Sequence, residues 1–140
     1  MCNNSDDNCI CEVLKVINIL QDNAECGDNC LDTCDRGFLG NIGSSLFYNT
    51  RPVMLYTCNS NGETPWSAPT TRDEVPGALS SVFRVEKVDC NCATFRVLAP
   101  NTDPTTSDDR PYISTNSFFT MNLGCVCSIR CLNDTVVEGV

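Results

Sequence analysis

The sequence predicts a mostly β fold, a small β-sandwich or barrel-like domain that carries one N-terminal α-helix. Two observations predict it. Several short runs of alternating, β-branched or aromatic residues are separated by connections rich in Gly, Pro, Asn and Ser, which is typical of antiparallel sheets. One earlier segment instead repeats its apolar residues at helical spacing. A chain of 140 residues is long enough for one domain with a modest core of its own.

The helix is predicted over residues 9–21. Ile10, Leu14 and Ile17 recur at helical spacing, so they form an apolar stripe along one side. Glu12 lies in the first turn, where a negative charge complements the helix dipole. We expect this stripe to pack on the body of the domain rather than to bind a partner.

The domain organisation follows from where this periodicity begins. Residues 1–8 are polar and are predicted to form a flexible arm that contains a cysteine. Residues 9–140 are predicted to form a single cysteine-rich domain, with a β-rich body over residues 50–131.

The strands are predicted from runs bounded by turn residues. Residues 52–58 form a short strand that ends at an Asn-Ser-Asn-Gly turn. Residues 63–78 hold three prolines and a glycine, and they are predicted to be an irregular connection. Residues 100–111 form a polar, exposed loop. Residues 118–123 alternate as a strand, and this strand leads into a Cys-x-Cys pair that is also placed on a strand.

A β-hairpin is predicted over residues 81–98. Phe83 and Val85 lie two residues apart, as do Arg84 and Glu86, which indicates a strand with one buried face. A second run rich in β-branched and aromatic residues follows the Asp and Asn of the intervening turn.

The net charge of −9 disfavours some classes of partner. Nucleic acid and anionic membrane surfaces are both disfavoured, because each must be met by clustered Lys and Arg. No run of eighteen apolar residues is present, so no transmembrane helix is predicted. The N-terminal residues lack the basic and apolar regions of a signal peptide, and secretion by the ordinary route is not expected.

Twelve cysteines approach the density of a disulfide scaffold. Most of them fall in three Cys-x-Cys pairs or in runs of Cys-x-x-x-Cys spacing, and one Cys-x-Cys lies at the tip of the predicted hairpin. Cysteines two apart on a strand point to the same side, and the ring they would close is strained, so each is expected to reach a different partner. All twelve are candidate disulfide or cross-link residues: Cys2, Cys9, Cys11, Cys26, Cys30, Cys34, Cys58, Cys90, Cys92, Cys125, Cys127 and Cys131.

Metal binding and catalysis are weaker interpretations. Structural zinc sites usually show cysteine knuckles, often with His, whereas this sequence has no His and no Cys-x-x-Cys. The lack of His also excludes Cys-His and Ser-His-Asp catalysis within the chain, and no phosphate-binding loop is present. No enzyme activity, metal site or cofactor is therefore predicted. Disulfides remain, within and between subunits, and we expect a mixture of the two.

Four segments in order carry a family resemblance. Residues 9–22 (CICEVLKVINILQD), 49–57 (NTRPVMLYT), 83–86 (FRVE) with 92–94 (CAT), and 122–132 (NLGCVCSIRCL) resemble the CotY/CotZ/ExsY family of structural proteins of the Bacillus spore crust and exosporium. The resemblance is nearest to the exosporium branch, and it spans most of the chain.

The resemblance implies a structural role. Such proteins self-assemble into two-dimensional lattices, typically hexagonal, that disulfides between subunits make resistant. They are made in the mother cell without a signal sequence and deposited on the spore surface. The expected partners are therefore further copies of the chain, as hexamers that tile, and other spore-surface proteins. The alternatives are a cysteine-rich zinc module and an adaptor that anchors other proteins to the spore.

Our hypothesis for the cysteines divides them by region. The segment from Cys2 to Cys34 is expected to carry much of the linkage between subunits. The remaining Cys-x-Cys pairs are expected to tie strands within one subunit, with some thiols left reduced: Cys90, Cys92, Cys125 and Cys127.

Overall fold

The computed structural model describes residues 9–22, 48–59, 62–75, 77–89, 91–107 and 110–140. Within these ranges the chain forms one helix and eight strands, joined near the end by a 3-10 turn. The elements are α1 (Cys9–Asp22), β1 (Val53–Asn59), β2 (Gly62–Pro65), β3 (Ala68–Pro69), β4 (Leu79–Ser80), β5 (Phe83–Asp89), β6 (Cys92–Pro100), β7 (Tyr112–Asn122), the turn Leu123–Cys125 and β8 (Val126–Cys131).

The main sheet is antiparallel and curls into a half-barrel. Its strand order is β2-β1-β5-β6-β7, and β8 also pairs with β1. The short strands β3 and β4 form a separate two-stranded sheet. The predicted fold class, mostly β and barrel-like with one N-terminal helix, is confirmed.

The predicted helix packs on the body as expected. Ile10, Leu14 and Ile17 are buried in a core shared with β1, β5 and β6, whereas Ile19 on the other side is 60% exposed. At the end of the helix the Gln21 side chain links β5 to the residues just before β1. Its Nε2 donates to the carbonyl oxygen of Val85 at 2.7 Å, and its Oε1 accepts from the Arg51 backbone amide at 3.2 Å. This buried amide fixes the helix against the sheet.

Aromatic rings form the centre of the core. Phe83 and Phe95 are fully buried, and their ring centroids lie 6.3 Å apart. Phe119 of β7 meets Phe83 edge-on at 4.8 Å and stacks on Phe95 at 5.3 Å. Trp66 approaches Phe119 from outside at 6.2 Å. The aromatic contacts therefore join β5, β6 and β7 to the connection that follows β2.

The predicted hairpin is present as β5 and β6, but its alternating exposure does not hold at Arg84. Asp89 pairs with Cys92 at the tip, and Phe83 pairs with Val97 near the base. The Arg84 side chain is only 9% exposed, because its guanidinium pairs with Glu86 and its Nε donates to the Thr50 hydroxyl at 3.0 Å. A buried charge is tolerated where it is paired and hydrogen-bonded in this way.

Three local predictions are corrected by the structure. The connection predicted to be irregular over residues 63–78 contains most of β2 and all of β3. The strand predicted over residues 118–123 begins earlier, at Tyr112. Cys125 and Cys127 do not share a strand, because Cys125 lies in the 3-10 turn, where the Asn122 side chain accepts from the Gly124 amide.

The last residues, Leu132–Val140, form a segment that we call the C-terminal strap. Thr135 forms an isolated bridge with Thr50, just before β1. Asp134 holds Arg51 through two hydrogen bonds of 2.7 and 2.9 Å. Further along, Glu138 pairs with Arg110 at 2.7 Å, close to the start of β7. The strap therefore reaches from the base of β1 to β7.

Candidate functional site: the cysteines and the sheet edges

The described part of the chain contains seven of the candidate cysteines, and they do not converge on one centre. Five others fall outside the described residues, so what was predicted for them stays a prediction: Cys2, Cys26, Cys30, Cys34 and Cys90. The seven lie in α1, in the strands β1, β6 and β8, and in the 3-10 turn.

Cys58 and Cys127 form a disulfide between neighbouring strands. Their Cα atoms lie 5.7 Å apart, and 69 positions separate them along the chain. Both residues are exposed, whereas Leu55 of β1 and Val126 of β8 are buried. The β1–β8 register shifts at Tyr56, and Cys127 is left without a ladder partner at this shift. The bond therefore lies on the outer side of the sheet, at an irregularity in the pairing.

Both of these cysteines were predicted as cross-link candidates, but their pairing with each other was not predicted. Cys58 belongs to no Cys-x-Cys motif, and nothing local links it to Cys127. The signal that could have found the pair is the register of β1 against β8, which places Tyr56 opposite Ser128. That register is a long-range property of the sheet.

Two further cysteines of the last strands are also bonded. Cys125 and Cys131 are both in disulfides, and both are partly buried. Cys131 packs against the core and pairs in register with Val53 at the base of β1. The closing region of the chain is thus tied by disulfides at the 3-10 turn and at both ends of β8.

The remaining described cysteines differ in accessibility. Cys9 is an exposed thiol at the first position of α1, and Cys92 is a partly buried thiol at the start of β6. Cys11 is 2% exposed and forms part of the core beneath α1. Of these three thiols, Cys9 is the most accessible to another molecule.

The edge of the sheet at β7 is irregular and partly apolar. Arg96 pairs with Phe118 and Leu98 with Ser114, so several β7 residues bulge opposite one position of β6. Phe118 is 46% exposed, and the Arg96 guanidinium lies 4.6 Å from the centre of its ring. Among the described residues β7 has no second strand partner, although the Ser117 hydroxyl donates to the Pro69 carbonyl at 2.7 Å.

A polar pocket of about 370 Å³ lies beside the start of β7. Its lining brings the positive charge of Arg110 close to the negative charges of Asp103 and Glu138. The Asp103 carboxylate accepts hydrogen bonds from the backbone amide and from the hydroxyl of Thr105, and these bonds lower the pKa of Asp103, the amide having the larger effect. The lining contains no cysteine, so the pocket is separate from the disulfide chemistry. The lining residues are Asn101, Asp103, Thr106, Arg110, Tyr112, Ile113, Ser114 and Glu138.

The described ranges contain no group of three or more His, Cys, Asp or Glu residues placed to hold a metal ion. No helix in the same ranges is both long enough and apolar enough to cross a membrane.

The chain matches a known protein family. The model of the family described as spore coat protein Z matches residues 2–112. No curated protein and no solved structure matches the chain. The matched region includes α1 and the strands β1 to β6, and it ends at Tyr112, the first residue of β7.

Proposed function

The chain belongs to the spore coat protein Z family, and from this premise we propose that it assembles into a two-dimensional, hexagonal lattice around the spore, with disulfides between neighbouring copies. Family membership by itself gives the coarser statement, a structural role in the spore coat. The match over residues 2–112 is the observation that carries the proposal. We place the lattice in an outer layer, the exosporium or the crust, and expect the chain to be made in the mother cell.

The charge of the chain constrains how such a lattice forms. With a net charge of −9, separate copies repel one another at long range. At an ionic strength of about 0.1–0.15 M, salt limits the range of this repulsion to about 8–10 Å. Short-range contacts must therefore hold the copies, and an interface of about 800 Å² per partner is the usual size for a stable one. Among the described residues the outer edge of β7 pairs with no second strand, and with Phe118 exposed beside it this edge is a surface suited to such a contact.

Hexagonal order requires two kinds of contact. A head-to-tail contact that closes after six copies gives a ring, and a second contact tiles the rings. Covalent bonds then add resistance that the non-covalent contacts lack. The exposed thiol of Cys9 supports the hypothesis that the region from Cys2 to Cys34 carries linkage between subunits. Cys11 is buried, so it contributes to such linkage only if α1 moves.

Electron microscopy of the purified protein tests the proposal. Ordered arrays should form from the protein alone, and with a reductant present the arrays should become easier to disperse with urea. Dispersed monomers in both conditions would refute the lattice and favour an adaptor role. Stoichiometric zinc that orders the reduced protein would instead favour the zinc module.

One pair of variants tests the β7 contact. Phe118→Glu adds a charge at the edge of β7, and we expect it to disperse the arrays. Val75→Glu is the matched control, because Val75 is 83% exposed and lies in the connection between β3 and β4, outside β7. Arrays that survive Phe118→Glu unchanged would exclude the β7 edge as a lattice contact.

A further inference from the structure

The Cys58–Cys127 disulfide lies where a second molecule can reach it. Both cysteines are exposed on the outer side of the sheet, and the apolar core lies on the other side. Disulfides exchange when a thiolate attacks one of the two sulfur atoms, so the rate depends on access to that atom. A bond with this exposure is open to thiols from outside the molecule.

The strand order makes the two sulfur atoms unequal. The attacking sulfur approaches along the extension of the existing S–S bond. Tyr56 pairs with both β2 and β8, so these strands lie on opposite sides of β1, and beyond Cys58 the line runs toward β2. There Glu63 is the ladder partner of Cys58, and its carboxylate repels a thiolate. Beyond Cys127 it passes the outer edge of β8, and within the described ranges β8 pairs only with β1. The open approach therefore leads to the sulfur of Cys127.

We propose that this disulfide is an acceptor site for thiol–disulfide exchange, and that the thiolate that attacks it is Cys9 of a second copy. Cys9 is suited to this role because it is an exposed thiol. The proposal deepens the proposed function, on which it rests, since the lattice would hold the two copies side by side.

The exchange balances without any oxidant. The Cys9 thiol gives its proton to water, and its sulfur forms a bond with the sulfur of Cys127. The Cys58–Cys127 bond breaks, and its electron pair leaves on Cys58, which then takes up a proton. One disulfide within a subunit becomes one disulfide between subunits, so the total number of thiols is unchanged. The Cys58 thiolate that is released can attack in its turn, so that linkage passes from copy to copy.

The first experiment tests the acceptor site without assembly. Oxidised monomer is incubated with reduced glutathione in the absence of oxygen, the remaining thiols are alkylated, and peptides are mapped by mass spectrometry. We expect glutathione on Cys127 and the alkyl group on Cys58. Glutathione on Cys58 alone would overturn the assignment of the attacked sulfur, and an intact bond would overturn the acceptor site.

Two variants sharpen this measurement. Glu63→Gln removes the negative charge beside the departing Cys58 sulfur, so it should raise the rate of glutathione addition severalfold. Cys92→Ser is the matched control, because it removes another described thiol and leaves the disulfide untouched. It should leave the rate unchanged. A rate that falls with Cys92→Ser would show that Cys92, rather than the incoming thiol, opens the bond.

The second experiment tests Cys9 as the attacking thiol. A mixture of isotopically heavy and light chains, kept free of oxygen, should yield a peptide that joins Cys9 of one chain to Cys127 of the other, at constant total thiol. Cys9→Ser, and separately the double variant Cys58→Ser/Cys127→Ser, should each lower covalent dimer formation by about tenfold. Dimer formation at the wild-type rate in either variant would overturn the proposal.

The outcomes separate this inference from the lattice itself. Ordered arrays in which the Cys58–Cys127 bond stays intact would overturn the exchange and leave the lattice standing. Glutathione exchange at Cys127 in a protein that never forms arrays would refute the lattice and support the acceptor site.

Discussion

Two hairpins of the same sheet are stabilised in different ways. The β5–β6 hairpin is buried on its inner side, where Phe83 and Phe95 are fully buried. Its outer side carries the ion pairs of Arg84 and Arg96 with Glu86, whose side chains are at most 18% exposed. Packing and paired charges therefore hold both of its faces.

The β1–β2 hairpin has much less burial. Val53 and Leu55 at its base are fully buried, but the end of β1 and every residue of β2 are exposed. Gly62 opens β2 with a φ of +105°, a conformation that favours glycine. At this exposed end the Cys58–Cys127 bond connects β1 to β8. The disulfide therefore lies in the hairpin with less apolar burial.

The largest loss of stability should come from a substitution in the buried β5–β6 hairpin. Phe95→Ala removes a fully buried ring that contacts Phe83 and Phe119, and we expect it to lower the free energy of unfolding by about 4 kcal/mol. Urea denaturation of the monomer, followed by fluorescence, measures this. A loss below about 1 kcal/mol would contradict the role of packing in this hairpin.

The second largest loss of stability should come from a substitution at the base of the β1–β2 hairpin. Asp134→Ala leaves the Arg51 guanidinium, just before β1, without its buried carboxylate, and both side chains are 5% exposed. We expect a loss of about 3 kcal/mol in the same measurement. Glu138→Ala is the matched control on the strap, since the Glu138 side chain is 72% exposed, and it should cost about 0.5 kcal/mol or less. Equal losses in the two variants would contradict the difference in burial.

The third effect tests the disulfide. Cys58→Ser/Cys127→Ser should lower the free energy of unfolding by about 2 kcal/mol, because the unfolded chain regains freedom. Amide hydrogen exchange should become faster at the end of β1 and in β2, and stay unchanged in β5 and β6. Faster exchange in all four strands would contradict the view that the β5–β6 hairpin is stable without this disulfide.

The smallest effect should come from the half-exposed ring of β7. Phe118→Ala removes the contact with the Arg96 guanidinium, which at an exposed site is worth about 0.5–1 kcal/mol. It therefore serves as a phenylalanine control for Phe95→Ala. A loss comparable to that of Phe95→Ala would show that Phe118 supports the fold rather than only lining its edge.

The sequence predicted those parts of the fold whose pattern is local. The stripe of Ile10, Leu14 and Ile17 repeats over several turns, so α1 was predicted within one residue at its end. The strands β3 and β4 are two residues long, and they lie among Pro, Gly and Ser residues where no periodicity develops. Such strands exist because of their tertiary contacts and not because of their own sequence.

The parts that could not be predicted depend on distant partners. Arg84 has the charge of a surface residue, and its burial depends on Thr50, which is 34 residues earlier in the chain. The Cys58–Cys127 pairing depends on the β1–β8 register, and twelve cysteines allow too many pairings for spacing to decide. Every cysteine could be identified as a candidate from the sequence. That Cys9 is exposed and Cys11 is buried depends on how α1 packs, and could be seen only in the structure.

The C-terminal strap also has a mechanical consequence. A sheet resists a pull along its strands because many hydrogen bonds share the load, but it peels open one bond at a time when its edges are drawn apart. The strap joins the base of β1 to the β7 region through Arg51–Asp134 and Arg110–Glu138. When the edges of the sheet are drawn apart, the strap acts as a cross-brace, and the buried Arg51–Asp134 pair is its stronger anchor.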